Sequence, residues 1–319
     1  MKHANRWLFL TRRLCYTCFL ALLAVVSLFV VFSVIPGDAA LLSVGVEADE
    51  LLLATLRTEM GLDRSLWIRF VDWLARAMQG DLGISTRYKE PVVDLIARHA
   101  GVTLRLTLVS MSLTIGFSFI IASFVMILRR RTVITWVIWL SQIFLAIPQF
   151  WLGMMVIQIF SIKLGWFSLF YLELDWRDYF APALVLAFVQ SAYLARYLIS
   201  SWQREIRQRY VVSGLARGLS ERRLRFGHAL RGSLTSTVMM LGLIWIDLLS
   251  GSIIIEMLFM LPGLGQLLIN AVSARDLPLV QGITLYFVLM VSISNMVLEV
   301  ILYKLNPRAQ QAVGDGATV

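Results

Sequence analysis

Charge is scarce in this 319-residue chain: acidic and basic residues together make up 15%, against about a quarter in soluble domains, while 59% of residues are hydrophobic. A surface so poor in charge excludes an ordinary soluble enzyme and points to lipid as the surrounding medium. Cysteine is almost absent. Cys15 and Cys18 cannot build a disulfide framework, and no histidine cluster completes a zinc site beside them, so no metal site is expected. The two thiols fall on one face of the first apolar helix and read as packing residues rather than a redox pair. Also missing is any Gly-x4-Gly-Lys-Ser/Thr segment, which excludes ATP binding through a P-loop. No nucleophile or second titrating group stands near His228 in the sequence, so no catalytic residue is proposed.

Long apolar runs are present instead. Crossing roughly 30 Å of hydrocarbon takes about 20 helical residues with every backbone polar group satisfied internally. Six stretches qualify: Leu14 to Ile35, Val102 to Leu128, Val133 to Ile162, Phe180 to Ser200, Ser233 to Ile255 and Gln281 to Tyr303. The fold class is therefore an all-α polytopic membrane protein with six transmembrane helices. Pro148 falls inside the third stretch, which reads as one bent helix, with two half-length helices as the alternative.

The net charge of +9 alone would admit a nucleic-acid binder, but the charges are segregated along the chain. Residues 1–13, 129–132, 201–232 and 304–319 carry 17 basic and three acidic residues; residues 36–101, 163–179 and 256–280 carry 10 basic and 15 acidic ones. Because short basic loops stay inside, the first set is expected to be cytoplasmic, with both termini. Arg12 and Arg13 before an apolar run also fit a cleavable export signal, but that run is longer than a signal core and five further spans need an anchored start.

The chain thus divides into a cytoplasmic N-terminus with the first span (1–35), an extracytoplasmic helical cap (36–101), a core of five spans (102–305) and a cytoplasmic tail (306–319). In the cap, Glu50 to Met60 and Leu66 to Met78 have helical apolar spacing, and Trp67 and Trp73 read as cap core, headgroup-level aromatics or partner contacts. The cytoplasmic loop 202–232 holds eight arginines and two acids. Tyr210 to Arg217 reads as a short helix broken at Gly218, with Ser220 capping a second helix from Glu221 to Leu230. A basic inside loop, an anionic-lipid patch and an element docking into another protein's groove all fit; length and the internal glycine break favour docking. Near the outer end of the fifth span, Glu256 to Gln266 contains Pro262, Gly263 and Gly265 and precedes an apolar stretch too short to cross. Within residues 256–280 this segment reads as re-entrant, bordering a pathway. Gln142, Gln190, Asp247 and Glu299 are polar groups inside spans, where such groups are costly and face a cavity or a partner.

From the outer loop onward the chain resembles the inner-membrane permease subunits of ABC importers for dipeptides, oligopeptides and nickel, specifically the first of the two permeases. The segments that carry the resemblance are Gly80-Asp-Leu-Gly-Ile-Ser85 with Pro91-Val-Val93, Ile147-Pro-Gln-Phe-Trp-Leu-Gly153 with Leu164-Gly-Trp166, and Tyr210-Val211 with Ala216-Arg-Gly-Leu-Ser-Glu-Arg-Arg223 and His228-Ala-Leu-Arg231. Glu256, Pro262-Gly-Leu-Gly265, Arg275-Asp276, Pro278, Val280-Gln-Gly282 and Asn306-Pro-Arg308 complete it. Val212-Ser213-Gly214 stands where the general importer pattern has glutamate and two alanines, and Gly214 is expected to weaken the first coupling helix by up to about 1 kcal/mol.

The resemblance implies a type I permease fold with cytoplasmic coupling helices, a bacterial inner-membrane location, and a heterodimer with a second homologous permease. It further implies two cytoplasmic ATPase subunits that hold ATP and magnesium, and an extracytoplasmic solute-binding protein. The chain itself would be no enzyme and bind no cofactor. Tyr210, Val211, Ala216, Gly218, Leu219, Ser220 and His228 are the expected ATPase-coupling residues, although His228 can equally bond a carbonyl within the loop. Gln142, Gln190, Asp247, Glu256, Pro262, Gly263 and Gly265 are the expected path or gate residues, Asp247 either meeting an amine or cationic chelate or pairing with the partner permease. Short peptides, nickel chelates, antimicrobial peptides and metal-opine chelates are all compatible solutes. A non-transporting scaffold or sensor and an autonomous secondary transporter are the rival functions.

Overall fold

The computed structural model describes residues 64–171 and 173–305, with a further set of positions between 15 and 58. The ends of the first expected span, the cytoplasmic N-terminus, most of the first cap helix (all but Leu51, Ala54, Thr55 and Thr58, which are helical) and the 306–319 tail lie outside the described residues, as does the side chain of Glu299. The helices are α1 (Leu66–Ala77), α2 (Val92–Leu128), α3 (Arg131–Ala146), α4 (Gln149–Lys163), α5 (Phe180–Ile206), α6 (Arg209–Ala216), α7 (Glu221–Leu258), α8 (Leu264–Ser273) and α9 (Leu277–Leu305). Among the described residues, four helices are long and apolar enough to cross a membrane, and the pair α3–α4 supplies a fifth if it is one broken span. Of the first expected span, an apolar helix over Cys18–Ser27 is described, with Cys15 and Cys18 exposed.

Two expectations are corrected. α2 begins at Val92, ten residues before the expected span, because Val92, Leu95 and Ile96 form one buried stripe even though Asp94, Arg98 and His99 interrupt the hydropathy. The third stretch is broken rather than bent: α3 and α4 meet at 86°. Pro148 has no N–H to donate and restricts the residue before it, so Ile147 (ψ 119°) and Pro148 (ψ 133°) are both extended. The second arm ends in π-helical turns over Ile157–Lys163.

The contacts group the chain into two compact units, a division that differs from the linear one at 35, 101 and 305. One unit takes the residues up to Thr103 together with Pro262–Ser292; the other takes Leu104–Leu261 and the residues from Ile293 on. In the first, Val92, Leu95 and Ile96 pack with Leu264, Leu267, Ala271, Leu279, Val280 and Ile283, while Phe70 and Trp73 of α1 are buried with Val25. Trp73 is therefore cap core, and Trp67 is exposed. Gly282 permits the closest approach in this unit, since a Cβ there would lie 2.5 Å from Val92 Cγ1.

In the second unit α5 is the central helix, buried along most of its length. Small polar groups join the helices: Ser118 Oγ donates to the Ser191 carbonyl at 3.0 Å, and Ser201 and Ser236 hydroxyls lie 2.6 Å apart. Gly251 lies against Gln149 and Leu186, and Gly153 against Ile255 and Leu258. Close backbone approach and interhelical hydrogen bonds replace the hydrophobic drive that lipid cannot supply.

Candidate functional site

The basic loop of the second unit folds as helix, turn and helix. α6 ends in a Schellman motif: Gly218 takes φ +82°, its N–H donates to the Leu215 carbonyl at 3.0 Å, and the Leu219 N–H donates to the Gly214 carbonyl at 3.1 Å. The expected break at Gly218 is thus present, and only a residue tolerant of positive φ closes it without strain. Ser220 takes the N-cap position of α7 with extended backbone (ψ 138°), but its side chain makes no capping bond, which corrects the expected cap. α7 starts with a turn of α-helix, widens into π-helical turns over Leu224–Ala229, and continues to Leu258.

This element stands on a firm base. Trp202 is fully buried, donates its indole N–H to the Arg225 carbonyl at 2.9 Å, and meets Phe226 edge to face at 5.2 Å. Val211, Leu198, Ile199, Leu224 and Ala229 are buried around it. Val211 therefore faces inward and anchors α6, so it is not available as a contact surface as expected. Tyr210 is half exposed, and its hydroxyl donates to Glu205 at 2.8 Å. Gly232 lets both approach α7, because a Cβ there would lie 2.6 Å from Glu205 Oε2 and 2.9 Å from the Tyr210 hydroxyl. Arg129, from the α2–α3 turn, donates to Glu221 at 2.8 Å, and Arg225 reaches the same carboxylate at 2.5 Å.

Burial, then the hydrogen bond to Glu205 and its negative charge, push the Tyr210 hydroxyl up to about 12. A raised folded value contributes stability that is complete below the unfolded value of about 10 and is lost as pH rises through the folded one. The Tyr210–Glu205 bond is therefore expected to persist across neutral pH. Hydrogen exchange of α6 compared between wild type and Tyr210→Phe should show no titration of this contact below about pH 10; a step near neutrality would refute it.

Ala216, Gly218, Leu219, Ser220 and His228 are exposed. His228 makes no hydrogen bond among the described residues, so the loop-internal bond expected as its alternative role is absent. Val212 and Leu215, not singled out by the sequence reading, are 56% and 48% exposed. Val212, Leu215 and Ala216 stand at i, i+3, i+4 on α6, a spacing that was available in the sequence, and Leu219, beyond the Gly218 turn, adds an exposed apolar side chain next to them. Arg209, Arg217, Arg222 and Arg223 are exposed around it. An apolar ridge with a basic rim on a rigid base has the form of a knob for an acidic-edged groove in another protein.

Gly214 has a different role from the one its helix propensity suggests. It is buried, and a Cβ there would lie 2.6 Å from Leu224 Cδ2, so the residue permits α6 to pack on α7. Gly214→Ala is accordingly expected to lower the melting temperature of the purified protein despite alanine's better propensity, with Leu224→Val in the same chain recovering part of the loss. A higher melting temperature for Gly214→Ala alone would refute the close-packing account.

The path candidates are dispersed. Gln190 is nearly buried in α5, Gln142 is exposed on α3, and Glu256 is fully buried near the end of α7. Asp247 is exposed on α7 and has no ionic partner among the described residues. The Glu256 carbonyl accepts the Leu261 N–H at 2.9 Å, closing α7 through Met260 at φ +54°. Beyond it Pro262 is exposed while Gly263 and Gly265 are buried, and the apolar stretch that reads as too short to cross is the ten-residue helix α8. The Leu264 N–H donates to Thr103 Oγ1 at 2.8 Å, so protein covers this irregular backbone.

The motifs Gly80–Ser85 and Arg275–Asp276 meet in the first unit. Asp276 is fully buried; it accepts from Ser85 Oγ at 2.5 Å, from the Arg87 N–H at 3.1 Å and from the Leu279 N–H at 3.3 Å. Ser85 Oγ in turn accepts the Tyr88 N–H at 3.0 Å. Nothing in the sequence reading paired these segments.

Residues 92–311 match the family described as binding-protein-dependent transport system inner membrane component, and residues 7–107 match the N-terminal membrane component of such systems. The glutathione transport system permease protein GsiC of Escherichia coli strain K12 is 34% identical over 282 residues, covering 88% of this chain and 92% of the relative. The protein of the same name from Salmonella typhimurium strain LT2 is 34% identical over 286 residues, covering 90% and 93%.

Proposed function

The chain belongs to the binding-protein-dependent transport system inner membrane components and is a multi-pass permease subunit of an ABC importer; from this premise we propose that it imports a short peptide or peptide-like solute, with the α6–turn–α7 element as its lever. The observation that carries the reading is the exposed ridge of Val212, Leu215, Ala216 and Leu219, held by the Schellman turn on the Trp202 base. Such a ridge transmits a push without bending. In this reading the basic end is cytoplasmic with both termini, and a partner ATPase receives the ridge. A second permease completes the pathway, two ATPases hydrolyse ATP, and a solute-binding protein delivers cargo at the outer end.

The solute class follows the relatives named as glutathione permeases, and peptides share that chemistry of amine, amide and carboxylate. Asp247 supports the same reading, because a carboxylate exposed within an apolar helix needs water, a cation or a partner chain. It is proposed to meet the amine of the solute. Uptake by Asp247→Asn at equal expression is expected to require roughly tenfold more solute, the effect of one lost charge-assisted bond; an unchanged concentration dependence would remove Asp247 from the path.

The test of the function is ATP hydrolysis by the co-purified complex in lipid, with binding protein that is empty or loaded with glutathione, short peptides or nickel chelates. Stimulation by a loaded peptide-like solute is expected. Failure to recruit any ATPase would instead favour a scaffold or sensor role.

A further inference from the structure

At the basic end of the second unit, α2, α3, α5 and α7 enclose an open cavity of about 370 Å³. Its polar lining includes the guanidinium groups of Arg129, Arg131, Arg207 and Arg225. The nearby carboxylate is Glu221, already shared by Arg129 and Arg225, so three positive charges stay uncompensated. Arg131 and Arg207 have no ionic partner among the described residues, and Arg225 Nε is buried without an acceptor. Guanidinium groups left uncompensated around one cavity call for an anion.

Val125, Met126, Ile134 and Ile206 form the apolar wall of the cavity. It opens where the apolar run of α2 ends at Leu128 and α3 begins at Arg131. Trp136 and Trp139 are exposed in the first turns of α3, as anchoring aromatics are at headgroup depth. The positive face continues along the α3–α5 seam: Arg196, Ser200 and Arg204 follow one another at four-residue spacing and line a second opening of about 220 Å³ with Ile138. Arg196 lies over the Tyr193 ring at 5.6 Å.

We propose that this cavity holds the phosphate of an anionic phospholipid from the leaflet at the basic end, with the acyl chains leaving over Val125, Met126, Ile134 and Ile206 toward the apolar run of α2. Arg129, Arg131, Arg207 and Arg225 take the phosphodiester oxygens, and the apolar wall takes the glycerol and the upper part of the chains. A free phosphate would use only the basic rim. An acidic protein loop would have to enter below the helix ends, into the apolar wall. The lipid would join the α2–α3 turn to the base of the coupling element through Arg129 and Arg225, making the lever's stiffness depend on lipid charge. The proposal uses the functional reading only to name the leaflet, and lipid retention is measurable whether or not the solute assignment stands.

The experiment measures binding of phosphatidylglycerol and phosphatidylcholine to the full permease complex in nanodiscs, and the phospholipid retained after mild detergent extraction by native mass spectrometry. Wild type is expected to prefer phosphatidylglycerol. Arg131→Gln with Arg207→Gln should weaken that binding roughly 25-fold, each charge contributing about a factor of five near an anionic surface. Arg131→Lys with Arg207→Lys should retain most of it, which separates charge loss from misfolding. Equal binding of both lipids by wild type would overturn the proposal without any variant. Displacement of phosphatidylglycerol by millimolar inorganic phosphate would reassign the cavity to a soluble anion, and lost ATPase recruitment with unchanged lipid retention would reassign it to the ATPase.

Discussion

Gly218→Pro is expected to leave the importer complex assembled but to remove the response of its ATPase to loaded binding protein, and with it solute uptake. Three local effects combine. Gly218 holds φ +82°, whereas proline is fixed near −65°. The Gly218 N–H that donates to Leu215 at 3.0 Å is deleted. Arg217 sits at φ −86°, ψ 6°, and a following proline pushes it toward extended geometry. Together these cost about 3 kcal/mol or more in the turn. The spans do not depend on this turn, and the buried contacts of Val211 and Leu224 with the Trp202 cluster hold α6 near its place. What is lost is the direction of Leu219 relative to Val212 and Leu215. A graded series makes the point quantitatively: asparagine tolerates the left-handed region and should retain most coupling, alanine should lose about 1 to 2 kcal/mol of turn stability, and valine more. Hydrolysis stimulated by loaded binding protein should fall in the order Gly, Asn, Ala, Val, Pro. Full stimulation in the proline variant would refute the rigid-turn account.

The break at Gly218 was legible because its cause is local: positive φ selects glycine in any surroundings. The apolar spans were legible for the same reason, since hydropathy sums over residues without reference to their neighbours. The start of α2 was not, because Asp94, Arg98 and His99 dilute the hydropathy of a stripe that only helical spacing reveals. Pro148 announced a disturbance but not its size, which depends on Ile147 also leaving the helix. Val211 and Val212 are adjacent and chemically identical, yet one is 2% exposed and the other 56%. The difference is made by Trp202 and Leu224, which reach α6 from other helices. Gly214 read as a weak point of a helix, and its real constraint is a leucine ten positions later. Ser220 occupies the position a cap requires without making the bond. In each of these cases the missing information is a tertiary neighbour.

Asp276 is the strongest instance of that dependence, and Asp276→Ala is expected to open the first unit locally. The side chain satisfies a hydroxyl and two backbone N–H groups within a fully buried site. Its removal strands those donors at about 1–3 kcal/mol each, so a loss of roughly 3–5 kcal/mol is expected once relaxation is allowed. The consequence should spread along one chain of contacts. Ser85 loses its acceptor and orients the Tyr88 N–H less well, and the turn from Gly80 to Pro91 no longer closes on the start of α2. At the other end, the Leu279 N–H at the first turn of α9 loses its partner, beside a core in which Leu279, Val280 and Ile283 pack against Val92 and Ile96. Asp276→Asn keeps the shape and one acceptor oxygen, so about half the loss is expected, and Ser85→Ala should cost about 1–2 kcal/mol because one buried hydroxyl and its bonds disappear together. Hydrogen exchange over 85–100 and 264–283 should accelerate in the order Ser85→Ala, Asp276→Asn, Asp276→Ala, while α5 and α7 remain protected. Faster exchange in α5 equal to that in 85–100 would mean that the two units unfold together and that the carboxylate holds the whole chain. No change in 85–100 would show that the Asp276 bonds contribute nothing to the outer turn.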